Sequence, residues 1–104
     1  MNQKNPKRMK NLNQEKINRI FSIYQEIINK PVITPSLNEI EEKFKKNIPY
    51  EYAAKGFQWT SKLRFSIKDN EVLVEFVYNE RVPKFMIESL KLMKKDFEEK
   101  IKNI

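Results

Sequence analysis

The chain of 104 residues contains no cysteine, no histidine and only one glycine. Without cysteine it cannot form a disulfide, a thiolate zinc site or a cysteine nucleophile. Without histidine it lacks the commonest general base and metal ligand, and serine–histidine catalysis is excluded. A single glycine also excludes a glycine-rich phosphate loop. We therefore expect no enzyme activity and no cofactor.

The acidic residues do not form the pattern of a metal site. Carboxylates alone would need a loop such as an EF-hand, and the sequence contains none. Paired carboxylates stay open as a catalytic arrangement. However, the acids of residues 39–42 stand at an expected helix start, and those of residues 96–99 lie among lysines. Surface charge explains both groups better, so we predict no catalytic residues and no metal.

Long hydrophobic runs are also missing. No segment approaches the length of a membrane span. Residues 1–10 are basic like the front of a secretory signal, but no apolar region of adequate length follows them. We therefore predict a cytoplasmic protein that does not bind membranes.

The net charge of +7 is unevenly distributed along the chain. Residues 1–11 contain four bases and no acid, residues 12–80 balance, and residues 81–104 contain seven bases and four acids. The first segment also lacks an apolar period, which is typical of a flexible terminus. A chain of this length with 39% hydrophobic residues suits one core. We predict a flexible basic tail over residues 1–11 and a single domain over residues 12–104.

The clearest structural signal is a predicted β-hairpin over residues 61–78. Two strand-like runs flank Asp69 and Asn70, which tolerate left-handed backbone conformations. A two-residue loop there puts all the large apolar pairs on one face and matches both acids of the second strand with bases. The pairs are Lys68 with Glu71, Ile67 with Val72, Phe65 with Val74, Arg64 with Glu75, and Leu63 with Phe76.

Three segments have the apolar period of helices that would cover this hairpin. The first follows a cap at Asn11 or Asn13 and ends before Pro31, with Ile23 beside its apolar stripe and partly exposed. The second spans about residues 35–47 and has a capping box at Ser36. The third spans about residues 83–102 and starts with a proline. Its stripe consists of Met86, Leu90, Met93, Phe97 and Ile101, flanked by Phe85 and Leu92.

Residues 48–60 combine four aromatic residues with the only glycine of the chain. A lone glycine is typical of a helix C-terminus, so we predict a short helix over residues 49–55 that ends at Gly56. One interpretation is an aromatic plug beneath the hairpin. The other is a surface of Tyr50, Tyr52 and Lys55 that stacks on bases or anchors in a partner protein.

The predicted order is helix, helix, short helix, two strands and helix, which makes the fold class α+β. This order resembles a winged-helix domain, in which the second and third helices form a helix-turn-helix and the hairpin is the wing. The resemblance implies DNA binding, with the helix over residues 49–55 in the major groove and Tyr50, Tyr52 and Lys55 near bases or phosphates.

The sequence favours a non-enzymatic nucleic-acid-binding protein, with DNA a better fit than RNA. The expected contact residues are Lys4, Lys7, Arg8, Lys10, Lys43, Lys45, Lys46, Tyr50, Tyr52, Lys55, Lys84, Lys91, Lys94 and Lys95. Helix-dipole stabilisation and solvated helix faces also explain the lysines of residues 43–46 and 84–95.

The alternative function is a protein-interaction module, such as a small inhibitor or accessory subunit. It would use the aromatic segment, the mixed outer face of the hairpin or the last helix. The wide apolar stripe of that helix, with Leu92 beside it, would also support a homodimer.

Overall fold

The computed structural model describes residues 8–9, 11–54 and 60–104. Its elements are β1 (Arg8–Met9), α1 (Gln14–Ile28), α2 (Leu37–Lys45), β2 (Tyr50–Tyr52), β3 (Ser61–Lys68), β4 (Glu71–Tyr78) and α3 (Lys84–Ile101). Three helices accompany an antiparallel sheet of three strands, which the two-residue β1 extends at one edge in the order β1-β4-β3-β2. The predicted α+β class is confirmed.

The β3–β4 hairpin has the predicted register in every pair, from Lys68 opposite Glu71 to Leu63 opposite Phe76. Asp69 and Asn70 both have positive φ, at 55° and 62°. A tight two-residue turn that matches the strand twist needs this conformation at both positions. The turn and the alternation of apolar residues therefore fix the same register.

The helices begin and end where local hydrogen bonds allow. Asn13 caps α1, because its side chain accepts a hydrogen bond from the Lys16 backbone N–H at 2.9 Å. The chain leaves α1 through Asn29, whose φ of 57° is left-handed. Ser36 and Glu39 form the predicted capping box of α2. Local sequence signals thus set most of the helix boundaries.

The core lies between the helices and the inner face of the sheet. Phe21 of α1 stacks on Phe65, and Phe97 of α3 packs on Phe76 with centroids 5.9 Å apart. α2 lies over β2 and β3, while α3 lies over β4 and beside α1. The prediction that Ile23 is partly exposed is wrong, since it is 9% exposed and belongs to the core cluster. α1 has two buried sides because α3 packs along it.

The predicted short helix over residues 49–55 is wrong, because Tyr50–Tyr52 form β2. Tyr50 pairs with Phe65, and Tyr52 pairs with Leu63. Both tyrosines thereby face the core, while Glu51 faces the opposite side. Pairing with β3 outweighs the local helix signal, and the Tyr-Glu-Tyr alternation suits a strand at the sheet edge. The winged-helix resemblance is not confirmed.

Some predictions concern residues outside the described ranges. These include the aromatic residues Phe57 and Trp59, the proposed cap Gly56, and most of the predicted tail. Within that tail, Arg8 and Met9 pair through their backbone with Leu73 and Val72 of β4. The flexible tail over residues 1–11 stays a prediction.

Candidate binding surface on the last helix

The core-facing side of α3 follows the predicted stripe. Leu90, Phe97 and Ile101 are buried, and Met86 and Met93 are half-buried. These positions recur at three- and four-residue steps, so they lie on one side of the helix. The opposite side of α3 is therefore available to solvent.

Two large apolar residues lie away from this core. Phe85 is 77% exposed and Leu92 is 67% exposed. Each comes one position before a residue of the buried stripe, which rotates its side chain by about 100° around the helix. Since they are seven residues apart, they lie on the same side of α3, about two turns from each other. We call Phe85 and Leu92 the apolar row.

Three lysines lie beside the apolar row. Lys84, Lys91 and Lys95 are exposed, and within the described ranges they form no ion pair. Their spacing of seven and four residues places them along one side of α3. We call them the lysine row. The exposed Glu88 is also on this side, so the row keeps a surplus of positive charge.

Nearby acids at the end of α3 do not neutralise the lysine row. Asp96 pairs with Lys100 at 3.5 Å, and Glu99 pairs with Lys102 at 3.8 Å. Both pairs form within the helix at the spacing of successive turns. The charge of the lysine row is therefore available to a binding partner.

Lys94, a predicted contact residue on the same helix, has a structural role. Its Nζ donates to the Phe76 carbonyl oxygen at 3.1 Å and lies 3.2 Å from the Glu98 carboxylate. The hydrogen bond to Phe76 joins α3 to β4, and the pair with Glu98 lies within α3. Lys94 is therefore separate from the lysine row.

The predicted lysines of α2 do not join those of α3. Lys43 and Lys45 are in the last turn of α2, and Lys46 is its C-terminal cap residue. Lys45 also pairs with Glu42 at 3.6 Å. Because α2 lies over β2 and β3 whereas α3 lies over β4, the two lysine groups lie over different strands of the sheet.

Tyr50 and Tyr52 are half-buried parts of the core edge. The Tyr52 ring meets Phe21 edge-on at 5.0 Å, and the Tyr50 ring meets Phe65 at 6.2 Å. Burial, followed by the Glu39 carboxylate, raises the pKa of Tyr50. Both rings therefore pack against core phenylalanines at the edge of the sheet.

The remaining predicted contact residues cannot be placed. Lys4, Lys7, Lys10 and Lys55 lie outside the described residues, and only the backbone of Arg8 is described. The structure thus brings together Lys84, Lys91 and Lys95 from the predicted set.

The outer face of the sheet is charged but internally compensated. Glu51 accepts hydrogen bonds from Lys62 and Arg64, both at 2.7 Å. Arg64 also lies 3.7 Å from Glu75. The hydrogen bond from Lys62, together with that from Arg64, lowers the pKa of Glu51 in spite of partial burial. This face therefore offers little unpaired charge.

A groove of about 500 Å³ lies between the loop after α1 and β2. Ile33 and Pro35 line one side, and Tyr50 and Tyr52 line the other. The Tyr52 hydroxyl accepts a hydrogen bond from the Ile33 backbone N–H at 3.1 Å, which joins the two walls. The groove thus follows the junction between the loop and the strand, which this hydrogen bond holds together.

Other kinds of site find no support in the described part of the chain. No group of three acidic side chains there is arranged to hold a metal ion. None of the helices in the same ranges has the length and apolar content of a membrane span. Comparisons with protein families, curated proteins and solved structures found no match to this chain. The candidate site therefore depends on the geometry of α3 itself.

Sequence reasoning found the lysine row but not the apolar row. From the sequence, Phe85 and Leu92 are expected only as flanks of the buried stripe, and neither is among the predicted nucleic-acid contacts. Their seven-residue spacing, with a lysine immediately before each, was the available signal. It indicates a second amphipathic face on α3.

Proposed function

We propose that this protein is a non-enzymatic protein-binding module that contacts its partner through the apolar row of α3. The supporting observation is that Phe85 and Leu92 are 77% and 67% exposed on one side of the helix. Aromatic and other large apolar side chains at the centre of an interface supply much of its binding energy. The expected location is the cytoplasm.

The energetic reason is that the folded domain makes little use of these side chains. Fully burying a Phe or Leu side chain contributes roughly 1.5–3 kcal/mol. For Phe85 and Leu92, most of this burial free energy becomes available only when a partner covers them. Two large exposed apolar side chains on one side of a helix are a candidate interaction site, whereas isolated ones need no explanation.

Affinity capture with matched variants tests this proposal. The test variant is Phe85→Ser with Leu92→Ser, and the control is Ile33→Ser, which changes a side chain that is 76% exposed on a loop. We expect a specific protein to be retained by the wild type and the control at high salt and lost from the test variant. Equal retention by the test variant would overturn the proposal.

The second candidate function is nucleic-acid binding. The unpaired lysine row and the four bases of residues 1–11 favour it. Counterion release gives such binding a steep salt dependence. Titration of a generic duplex and a single strand at two salt concentrations, with and without residues 1–11, tests it. Absence of binding at low salt would remove this candidate.

Three structural observations make nucleic-acid binding the second candidate rather than the first. Tyr50 and Tyr52 pack at the core edge, and the helix expected to enter the major groove is replaced by β2. The lysines of α2 and α3 also lie over different strands. On α3 a duplex would contact the lysine row, and Phe85 and Leu92 would have no apolar partner there.

A further inference from the structure

Building on the proposed function, we infer that the partner presents an acidic amphipathic helix to α3. Its apolar side chains pack against the apolar row, and its carboxylates face the lysine row. Lys84 directly precedes Phe85 and Lys91 directly precedes Leu92, so the lysine row runs along α3 about 100° around the helix from the apolar row. The partner surface that complements α3 therefore has an apolar half and an acidic half.

The spacing of the apolar row matches a helical partner. Phe85 and Leu92 are seven residues apart, which corresponds to about 10.5 Å along the helix axis. Apolar side chains repeating every seven residues on a partner helix have the same separation. A helix laid along α3 can thus contact both residues at once, as in other helix-binding surfaces.

The charge of the surface selects an acidic partner. Lys84, Lys91 and Lys95 are exposed and lack ion pairs in the described part of the chain. Glu88 opposes part of their charge, and the exposed Asp96 and Glu99 on the same side of α3 are paired with Lys100 and Lys102. Charged residues flanking an apolar helix seam favour partners of opposite sign and disfavour those of the same sign. The lysine row therefore determines partner choice, while the apolar row provides most of the contact energy.

A second copy of this chain, paired through antiparallel α3 helices, fits the surface less well. In a two-fold symmetric pair of antiparallel α3 helices, the same flank of each helix faces the other copy. The lysine row would then lie against its own symmetry mate. Such like-charge contacts are unfavourable in a partly desolvated interface. An acidic helix of different sequence avoids this repulsion.

Two synthetic helices serve as probes. Both contain leucine at the apolar heptad positions, with either glutamate or lysine at the flanking positions. The wild type is compared with two variants. The first is a triple charge reversal, Lys84→Glu with Lys91→Glu and Lys95→Glu. The second is the serine variant, Phe85→Ser with Leu92→Ser. Lys43→Glu with Lys45→Glu and Lys46→Glu is a matched control, since it makes the same charge change on α2. Fluorescence anisotropy at two salt concentrations gives the dissociation constants.

We expect the glutamate helix to bind the wild type at least about tenfold more tightly than the lysine helix at low salt. The α3 charge reversal should invert this preference, whereas the α2 control should change affinity less than about threefold. The serine variant should lose binding to both helices. Salt should weaken binding of the glutamate helix, because the lysine row is exposed.

The same experiment distinguishes failure of the acidic-helix inference from failure of the proposed apolar interface. Equal binding of both helices, with loss in the serine variant, would overturn the acidic partner and leave the apolar interface. Unchanged binding by the serine variant would overturn the apolar interface itself. Parallel titrations use vesicles containing anionic lipid and a single-stranded oligonucleotide. Tighter binding of either than of the glutamate helix, again dependent on the lysine row, would also overturn the acidic-helix inference.

Discussion

The ring of Phe21 stacks on the ring of Phe65, with centroids 5.7 Å apart and planes within 1° of parallel. This contact joins α1 to the centre of the sheet, and both residues are fully buried. The exposed Phe85 of α3 has the same side chain in the opposite environment. Phe65 therefore stabilises the domain, whereas Phe85 is available for binding.

Replacing Phe65 by alanine and replacing Phe85 by alanine should have very different effects on the free energy of unfolding. We expect Phe65→Ala to lower it by about 3–5 kcal/mol, because a large buried side chain leaves a cavity. Phe85→Ala should change it by less than about 0.5 kcal/mol, as is usual for an exposed position. Urea denaturation followed by circular dichroism measures both. A large loss for Phe85→Ala would assign that residue to the core.

The β3–β4 turn predicts opposite effects of two substitutions at Asn70, whose φ is 62°. Asn70→Gly should raise the free energy of unfolding by a few tenths of a kcal/mol or more, because glycine has no side chain to oppose positive φ. Asn70→Val should lower it by about 1–2 kcal/mol, since a β-branched residue is strongly disfavoured there. Thermal and urea unfolding of both variants provide the test. Equal stabilities would contradict the left-handed turn.

The Tyr24 hydroxyl links α1 to the start of β3. It lies 3.3 Å from Ser61 Oγ and 3.4 Å from the Ser61 carbonyl oxygen, to which it donates. Tyr24→Phe should lower the free energy of unfolding by about 1 kcal/mol. Tyr78→Phe is the control, because no hydrogen bond of the Tyr78 hydroxyl occurs within the described residues. Equal effects of the two substitutions would argue against the Tyr24 link.

Glu51 should make stability depend on pH in the acid range. Hydrogen bonds from Lys62 and Arg64 hold its folded pKa below the ordinary value of 4.5. The stabilisation is therefore complete above pH 4.5 and is lost as pH falls through the folded pKa. Because Glu51 is partly exposed, we expect about 0.5–1 kcal/mol in all.

The Glu51→Gln variant isolates this contribution. The difference in free energy of unfolding between wild type and variant should be constant near neutral pH and shrink below pH 4.5. Urea denaturation across pH 3–7 measures it. A difference that stays constant down to the lowest pH would show that the pKa of Glu51 is not lowered by folding.

The hairpin and the helices were predictable because their signals are local. Asp69 and Asn70 define the turn, alternation in the two flanking strands sets the register, and the capping box at Ser36 starts α2. Each of these features depends on residues that are close in sequence. The resulting structure follows from them with few alternatives.

β2 and the exposure of α3 were not predictable in the same way. Tyr50–Tyr52 become a strand only by pairing with β3, which is more than ten residues away in sequence. Whether Phe85 and Leu92 are covered depends on which side of α3 meets α1 and β4. Both outcomes are set by long-range packing that the apolar pattern of one segment does not specify.

The most direct test of the account maps the binding site residue by residue. Backbone amide NMR shifts of the full chain are recorded during titration with the acidic leucine–glutamate helix. We predict that the largest changes cluster at residues 84–95 of α3, with little change at residues 43–46 at the end of α2. Changes centred on β2 or on residues 43–46, with α3 unaffected, would contradict it.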